Sequence, residues 1–211
     1  TTAPVFTDVP SDQNNQCEEA PYTSAASDNC GAVAITESRE VISDDACGNY
    51  EHLVTLTATD ECGNSSDYQF TIVVQDTEAP VFVEALPSDE TAECDAIPNP
   101  VTLTATDNCD ANVNVMFMEA ITTGACPQSY TITRTWTVED CSGNMTEHVQ
   151  SIEVEDTTDP VFVEALPGDE TVECDAIPAA AVLTATDNCD DAIEVVLTEE
   201  ITDGSCPETY T

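Results

Sequence analysis

The chain has 211 residues, with 43 Asp+Glu against 2 Lys+Arg, a formal charge of -41 and 11 Cys. That charge excludes nucleic acid as a direct partner, because a phosphate backbone is bound by clustered Lys and Arg that release counterions. It also argues against anionic membrane surfaces, and no apolar run approaches the ~20 residues of a membrane-spanning helix, so direct membrane insertion is not expected.

High negative charge often means disorder. Here 41% of the residues are hydrophobic and they alternate along the chain, so a folded protein is expected. Self-repulsion must then be offset by covalent staples or bound cations.

Self-similarity organises the rest. The first copy opens with "TTAPVF" at Thr1, carries "SAASDNCG" at 24–31 and "TDECGN" ending at Asn64, and closes on "IVVQD" at Asp76. A second begins "DTEAPVFVEALPSDETAECDAIP" at Asp76 and a third "DTTDPVFVEALPGDETVECDAIP" at Asp156, an offset of 80 residues. "TATDNCD" stands at 104–110 and again at 184–190. Three units follow, 1–75, 76–155 and a shortened 156–211. The chain opens one residue inside its motif and stops at "ETYT", where the second copy continues "TITRTWTVEDCSGN". It therefore reads as a segment of a longer repeated chain, which would account for the missing signal peptide and the odd cysteine count.

Within a copy the period is two, which marks strands. "VTLTATD" (101–107), "NVNVMFME" (112–119), "YTITRTWTV" (130–138) and "QSIEVE" (150–155) all alternate. The third run places Tyr130, Ile132, Arg134, Trp136 and Val138 on one side. Pro and Gly separate the runs, and no helical period of useful length appears. The expected fold is all-β: tandem immunoglobulin/fibronectin-like β-sandwich modules of about 80 residues and about seven short strands, arranged as a rod.

Regularly spaced cysteines point to an oxidising compartment and disulfides. Structural zinc favours C-x2-4-C pairs, and no two cysteines here lie closer than 13 residues, Cys17 to Cys30. In the second copy Cys94, Cys109, Cys126 and Cys141 are spaced 15, 17 and 15 apart, about one strand between neighbours. Eight strand residues span roughly 26 Å, far beyond the ~4.4–6.8 Å Cα separation of a disulfide. Sequence neighbours therefore lie at opposite ends of the module. Two bridges per complete module are expected: Cys17–Cys47 with Cys30–Cys62, Cys94–Cys126 with Cys109–Cys141, and Cys174–Cys206 in the third copy. Cys189 is expected to lack a partner.

The same alternation of strand direction gathers acids at the module junctions. Asp76, Asp107, Asp110 and Asp140 (with Glu139 nearby) converge at one junction, and Asp156, Asp187 and Asp190 at the next. Asp28, Asp60 and Glu61 would line the top of the first copy. Hard oxygen ligands at this density suit Ca2+. Asp and Asn also favour turns in their own right, and the sequence leaves both readings open.

"DTTDPVF", "ATDNCD" and the Gly-Asn turn resemble the hyalin-repeat (HYR-like) modules found in tandem in very large secreted surface proteins. The variant with four cysteines and "VECDAIP" is similar to repeats of giant Bacteroidetes adhesins, gliding-motility adhesins among them. The resemblance implies a sandwich fold, a tandem filament, type IX export and a role in adhesion or surface movement. "DTEAPVF" is also similar to cadherin linkers, although the Asp-Asn pair of those linkers is missing.

The leading functional expectation is a stalk segment of a long extracellular, cell-surface adhesin. Its partners would be neighbouring repeats of the same chain, a cell-envelope anchor and external surfaces or glycans. The alternative is that the repeats themselves bind surface glycans or neighbouring cells. Trp136, the only Trp, reads as a core residue. An enzyme is not expected: repeating turns provide no asymmetric cleft with a raised carboxyl pKa, and no G-x-S-x-G or H-E-x-x-H occurs. His52 and His148 read as exposed strand residues. "NSS" at Asn64 and "NMT" at Asn144 match the glycosylation acceptor pattern.

Overall fold

A computed structural model describes residues 2–29, 31–124, 128–173 and 175–202. All of its regular structure is strand. The first copy contains β1 (Val5–Asp8), β2 (Gln13–Gln16), β3 (Ala25–Ser27), β4 (Val33–Asp44), β5 (Tyr50–Asp60) and β6 (Ser65–Gln75). The second contains β7 (Val81–Phe82), β8 (Glu90–Glu93), β9 (Ala105–Thr106), β10 (Asn114–Thr123), β11 (Tyr130–Glu139) and β12 (Met145–Glu155). β13 (Val161–Phe162) and β14 (Ala185–Thr186) belong to the third.

Each of the first two copies builds a four-stranded sheet, in the orders β2-β6-β5-β4 and β8-β12-β11-β10, and a two-stranded ladder, β1-β3 or β7-β9. β2 joins β6 in parallel and β8 joins β12 in parallel, whereas β4, β5 and β6 are antiparallel neighbours. Among the described residues the first two copies have six strands each, three of them long, where about seven short ones were expected. "VTLTATD" contributes only Ala105–Thr106 to a ladder, because its neighbouring polar groups find other partners. The Thr104 amide and hydroxyl donate to the Glu84 carboxylate at 2.6 and 2.8 Å, and the Thr104 carbonyl accepts from the Val83 amide at 2.9 Å.

β5 and β6 alternate Thr or polar residues with aliphatics, so one face of the hairpin is apolar. Val54, Leu56, Phe70, Ile72 and Val74 are buried there, covered by Phe6, Tyr22, Ile35, Tyr50 and Tyr68. Full burial of each such side chain is favourable by about 1.5–3 kcal/mol. In β11 the alternation expected from sequence holds: Ile132, Arg134, Trp136 and Val138 are buried. Trp136, 1% exposed, packs beside Phe117 and His148 at ring-centroid distances of 5.2 and 5.9 Å. His52 stacks on Tyr50 at 4.4 Å, so neither histidine is the fully exposed residue expected.

The compact units of the structure cut across the sequence copies. One comprises Thr1–Leu86, Thr102–Met118 and Thr135–His148; the other comprises Pro87–Val101, Glu119–Arg134 and Val149–Thr211. The boundaries expected at 75/76 and 155/156 therefore each fall inside a compact unit.

Candidate junction site

A five-residue turn recurs at the ends of strands. Asp45 Oδ1 accepts the amides of Cys47 and Asn49 at 2.8 and 2.9 Å, and its Oδ2 accepts Asn49 Nδ2 at 2.9 Å. Asp60 does the same for the amides of Cys62 and Asn64, with Asn64 Nδ2 at 2.7 Å. Asp140 accepts the Asn144 amide at 2.9 Å and Asn144 Nδ2 at 2.8 Å. The fourth residue is Gly48, Gly63 or Gly143, each at a φ of 84–88°, in the left-handed region where a Cβ is costly. The first of these turns went unnoticed in the sequence, although "DACGN" at 45–49 repeats the "DECGN" at 60–64.

Two of these turns, those of Asp45 and Asp140, meet at the boundary between the first and second copies. Cys47, in the turn closing β4 onto β5, is disulfide-bonded to Cys141, in the turn closing β11 onto β12, with Cα atoms 5.4 Å apart. Cys17, just after β2, is bonded to Cys109 in the "DNCD" loop, with Cα atoms 5.0 Å apart. Cys17 is the one described non-glycine residue with positive φ, at 58°. In the other compact unit Cys94 is bonded to Cys189, with Cα atoms 5.8 Å apart.

The pairings Cys17–Cys47, Cys94–Cys126 and Cys109–Cys141 are therefore corrected, as are Cys30–Cys62, since Cys62 is free, and the solitary state expected of Cys189. Cys17 and Cys47 do share one end of a copy, and Cys109 and Cys141 the other. Each pair faces the opposite pair of the adjoining copy, so the bonds run from copy to copy. Cys62 is an exposed free thiol. Cys30, Cys126, Cys174 and Cys206 lie outside the described residues, and with them the bridge Cys174–Cys206.

Polar contacts bind the same boundary. The Asp76 amide donates to Asn49 Oδ1 at 2.7 Å, Asn144 Nδ2 donates to the Asp76 carbonyl at 3.3 Å, and Asn49 Nδ2 donates to Ser142 Oγ at 3.1 Å. The linker residue thus sits between the lower turn of one copy and the upper turn of the next. Gln16 fixes Thr77 through both ends of its amide, at 2.9 and 3.2 Å. Glu93 takes this place at the next boundary and accepts from the amide and hydroxyl of Thr157.

Asp76 lies near enough to Asp107 and Asp140 for their charges to act on it. Desolvation raises the Asp76 pKa above its ordinary value, and the negative charges of Asp107 and Asp140 raise it further. Asp107 Oδ1 accepts the amides of Cys109 and Asp110 at 2.8 and 2.9 Å, while its buried Oδ2 has no hydrogen-bond partner. Asp187 repeats this arrangement, orphaned Oδ2 included. Asp110 and Asp190 serve the loops, accepting the amides of Asn112 and Ala192; Asp110 also accepts the Cys141 amide at 3.2 Å. Burial works to raise the Asp140 pKa, but the hydrogen bonds from Asn144 and the turn amides outweigh it and hold it low.

Ligand atoms of Asp76, Asp107 and Cys109 lie within 4.8 Å of one another, as do those of Glu93, Asp156 and Cys189. Both cysteines are in disulfides and provide no thiolate. What remains is paired carboxylates with one buried oxygen unsatisfied. That donor set fits a hard cation such as Ca2+ and not zinc.

Residues 82–154 match a family described as the HYR-like domain with 4 cysteines, about a third of the chain. No curated protein matches. Among solved structures, Drosophila N-cadherin EC1-4 is similar at 15% identity and a TM-score of 0.29, over 76% of this chain and 52% of that one. The chain thus spans about half the length of that fragment. The protocadherin GammaB4 extracellular domain is similar at 18% identity and a TM-score of 0.34, over 99% of this chain and 43% of that one. The Ig1-2 module of the Drosophila receptor protein tyrosine phosphatase DLAR is similar at 13% identity and a TM-score of 0.28, over 73% of this chain and 100% of that one. At these scores the likenesses bear on neither ligand nor partner.

Proposed function

We propose that the chain is a load-bearing stalk segment of an extracellular, cell-surface adhesin. Its disulfides act as shortcuts for tension between successive HYR-like repeats. The observation that carries this reading is the pair of bonds Cys17–Cys109 and Cys47–Cys141, each joining one repeat to the next across sequence separations of 92 and 94 residues. Force entering at Cys189 passes to Cys94, along the chain to Cys109 and on to Cys17, through two covalent bonds, and residues 18–93 stay unloaded. Hydrogen bonds alone would be pulled apart one after another; a covalent staple does not yield in that way.

Calcium belongs to this reading as a junction ion. Asp76, Asp107 and Asp140 would hold it at the first boundary, with Asp156 and Asp187 at the second. It would neutralise carboxylates that the fold presses together in a chain of formal charge -41. The burial of Trp136 favours a stalk over repeats that bind glycans, since it removes the one Trp from the surface as a stacking platform.

Pulling single molecules tests the proposal. Under oxidising conditions the chain should extend little beyond its folded length. Reduction of all three bridges lengthens the path between Cys17 and Cys189 and should release roughly 500 Å of extra contour, at ~3.3–3.6 Å per freed residue. Equal extension with and without reductant would sink it.

A further inference from the structure

Each four-stranded sheet ends on one long strand, β4 in the first copy and β10 in the second. The outer edge of β10 has no partner among the described strands, so alternate backbone N–H and C=O groups along Asn114–Thr123 point away from the sheet. Such an edge is a template for another strand unless charge, a bulge or a covering segment blocks it. β4 is blocked: it carries Glu37, Arg39, Glu40 and Asp44, and its register with β5 shifts between Val41 and Ser43. β10 carries one charge, Glu119, and Arg134 neutralises it at 2.9 Å.

The rest of β10 is apolar or uncharged and open to solvent. Met116 and Met118 are 66% and 70% exposed on one face, and Phe117 and Ile121 are 45% and 63% exposed on the other. The repeat does not require this surface. Eighty residues later the same ten positions, 194–203, include Glu194, Glu199, Glu200 and Asp203.

Charge decides what can cover β10. With 43 acids against two cations, most approaches between two of these chains are repulsive. A basic partner would be drawn to the acidic surface and away from a neutral strand. The occupant must therefore offer a free strand edge of similar length with no net charge. Of the two long edge strands described, β4 meets the first condition and only β10 meets both.

We infer that β10 is a self-association edge: two copies of this chain pair β10 against β10, antiparallel about a two-fold axis, and join their four-stranded sheets into one of eight strands. The same patch serves both chains, so the assembly closes at two. The register centred on Phe117 sets the two Phe side chains together, Met116 opposite Met118 and Glu119 opposite Val115, which keeps the two Glu119 carboxylates apart.

Sedimentation equilibrium of the full oxidised chain, with free thiols alkylated so that no covalent dimer forms, tests this. A dimer should tighten as salt rises from about 10 mM to about 0.1 M, where the screening length falls from ~30 to ~10 Å. Screening weakens the repulsion between acidic chains and leaves apolar and backbone contacts in place. Hydrogen exchange should show β10 amides, and not those of β4, gaining protection with protein concentration. Met116→Glu combined with Met118→Glu sets carboxylates directly opposite one another and should raise the dissociation constant at least about tenfold. Non-reducing peptide mapping of that variant should still find Cys17–Cys109 and Cys47–Cys141, which controls for folding. The salt and exchange measurements need no variant. A chain that stays monomeric up to about 1 mM overturns the inference. So does a dimer that loosens with salt, one protected at β4, or one indifferent to the paired substitution. None of these outcomes depends on the stalk reading.

Discussion

Cys47 and Cys141 stand 94 residues apart in the chain and are covalently joined, each in a turn of the same Asp-Gly-Asn construction. The bond ties the lower end of one repeat to the upper end of the next, and Cys17–Cys109 runs beside it. Replacing both members, Cys47→Ser with Cys141→Ser, leaves no stray thiol from this pair and keeps the parallel bridge. The expected loss is about 2–4 kcal/mol, read from non-reducing urea unfolding. A loss near zero would mean that the second staple is redundant once the first has formed.

The orphaned Oδ2 of Asp107 makes calcium testable apart from the staples. Adding Ca2+ at neutral pH should raise the melting temperature of the oxidised chain, by about 2.7 kcal/mol of stabilisation at a hundredfold excess over Kd. Asp107→Asn should blunt that gain, because a neutral amide is a poorer ligand for a hard cation. Identical melting curves in EDTA and in Ca2+ would remove the ion from the junction.

Asp76 and Asp140 titrate in opposite senses. The folded pKa of Asp76 is raised, so its contribution is present below its unfolded value and lost as pH rises through the folded one. Asp140 is held low, so its contribution is present above the ordinary carboxylate value, about 3.9, and lost as pH falls through the folded one. Without added cation, Asp76→Asn should therefore be at least as stable as the native chain at pH 7, by about 1 kcal/mol or less, and lose that advantage near pH 3–4. Asp140→Asn should be less stable at pH 7. Stability profiles of the three proteins against pH decide it.

The poles of each repeat were legible in the cysteine spacing, because a strand between neighbours forbids their pairing. Partner choice was not, since Cys17 and Cys47 lie at one pole in either scheme and only the seating of the next repeat selects Cys109 and Cys141. The convergence of Asp76, Asp107 and Asp140 could be read from alternating strand direction. Asp45 and Asn49 were missed because their turn sits at the pole where only a cysteine had been sought. The strand expected over 101–107 contracted to two residues because Glu84, twenty residues upstream, satisfies Thr104 through its side chain. Alternation cannot register such a contact.

Arg134 is 3% exposed on the apolar face of β11, donating to Glu119 at 2.9 Å and to the Pro98 carbonyl at 2.8 Å. Eighty residues earlier the same place on β5 is Val54, which lies opposite Arg39 on β4. The site thus tolerates an aliphatic residue in one repeat. Arg134→Met, which keeps the volume, should cost less than about 1.5 kcal/mol. Either variant leaves the Pro98 carbonyl without this donor, but Arg134→Ala also leaves a cavity and should cost about 2–5 kcal/mol. Equal losses in chemical denaturation would show that the charge, rather than the packing, holds the strand.

Asn144 matches a glycosylation acceptor in sequence, yet its Nδ2 is engaged by Asp140 at 2.8 Å and by the Asp76 carbonyl at 3.3 Å. That nitrogen is the junction's tie between linker and turn, so the residue is expected to be unmodified in folded protein, which intact mass would verify. Asn144→Ala removes both bonds and should cost about 1–3 kcal/mol. Asn144→Asp should cost more at pH 7, because it sets a carboxylate against Asp140, itself 6% exposed, and withdraws the side-chain donor to Asp140 Oδ2. The gap between the two variants should close as pH falls below about 4 and the carboxylates take up protons. It should also narrow when Ca2+ is added, since a cation would then hold the two acids together. If Asn144→Asp matches Asn144→Ala at every pH, the turn is more open to water than its hydrogen bonds imply, and the junction carboxylates do not act as a coupled set.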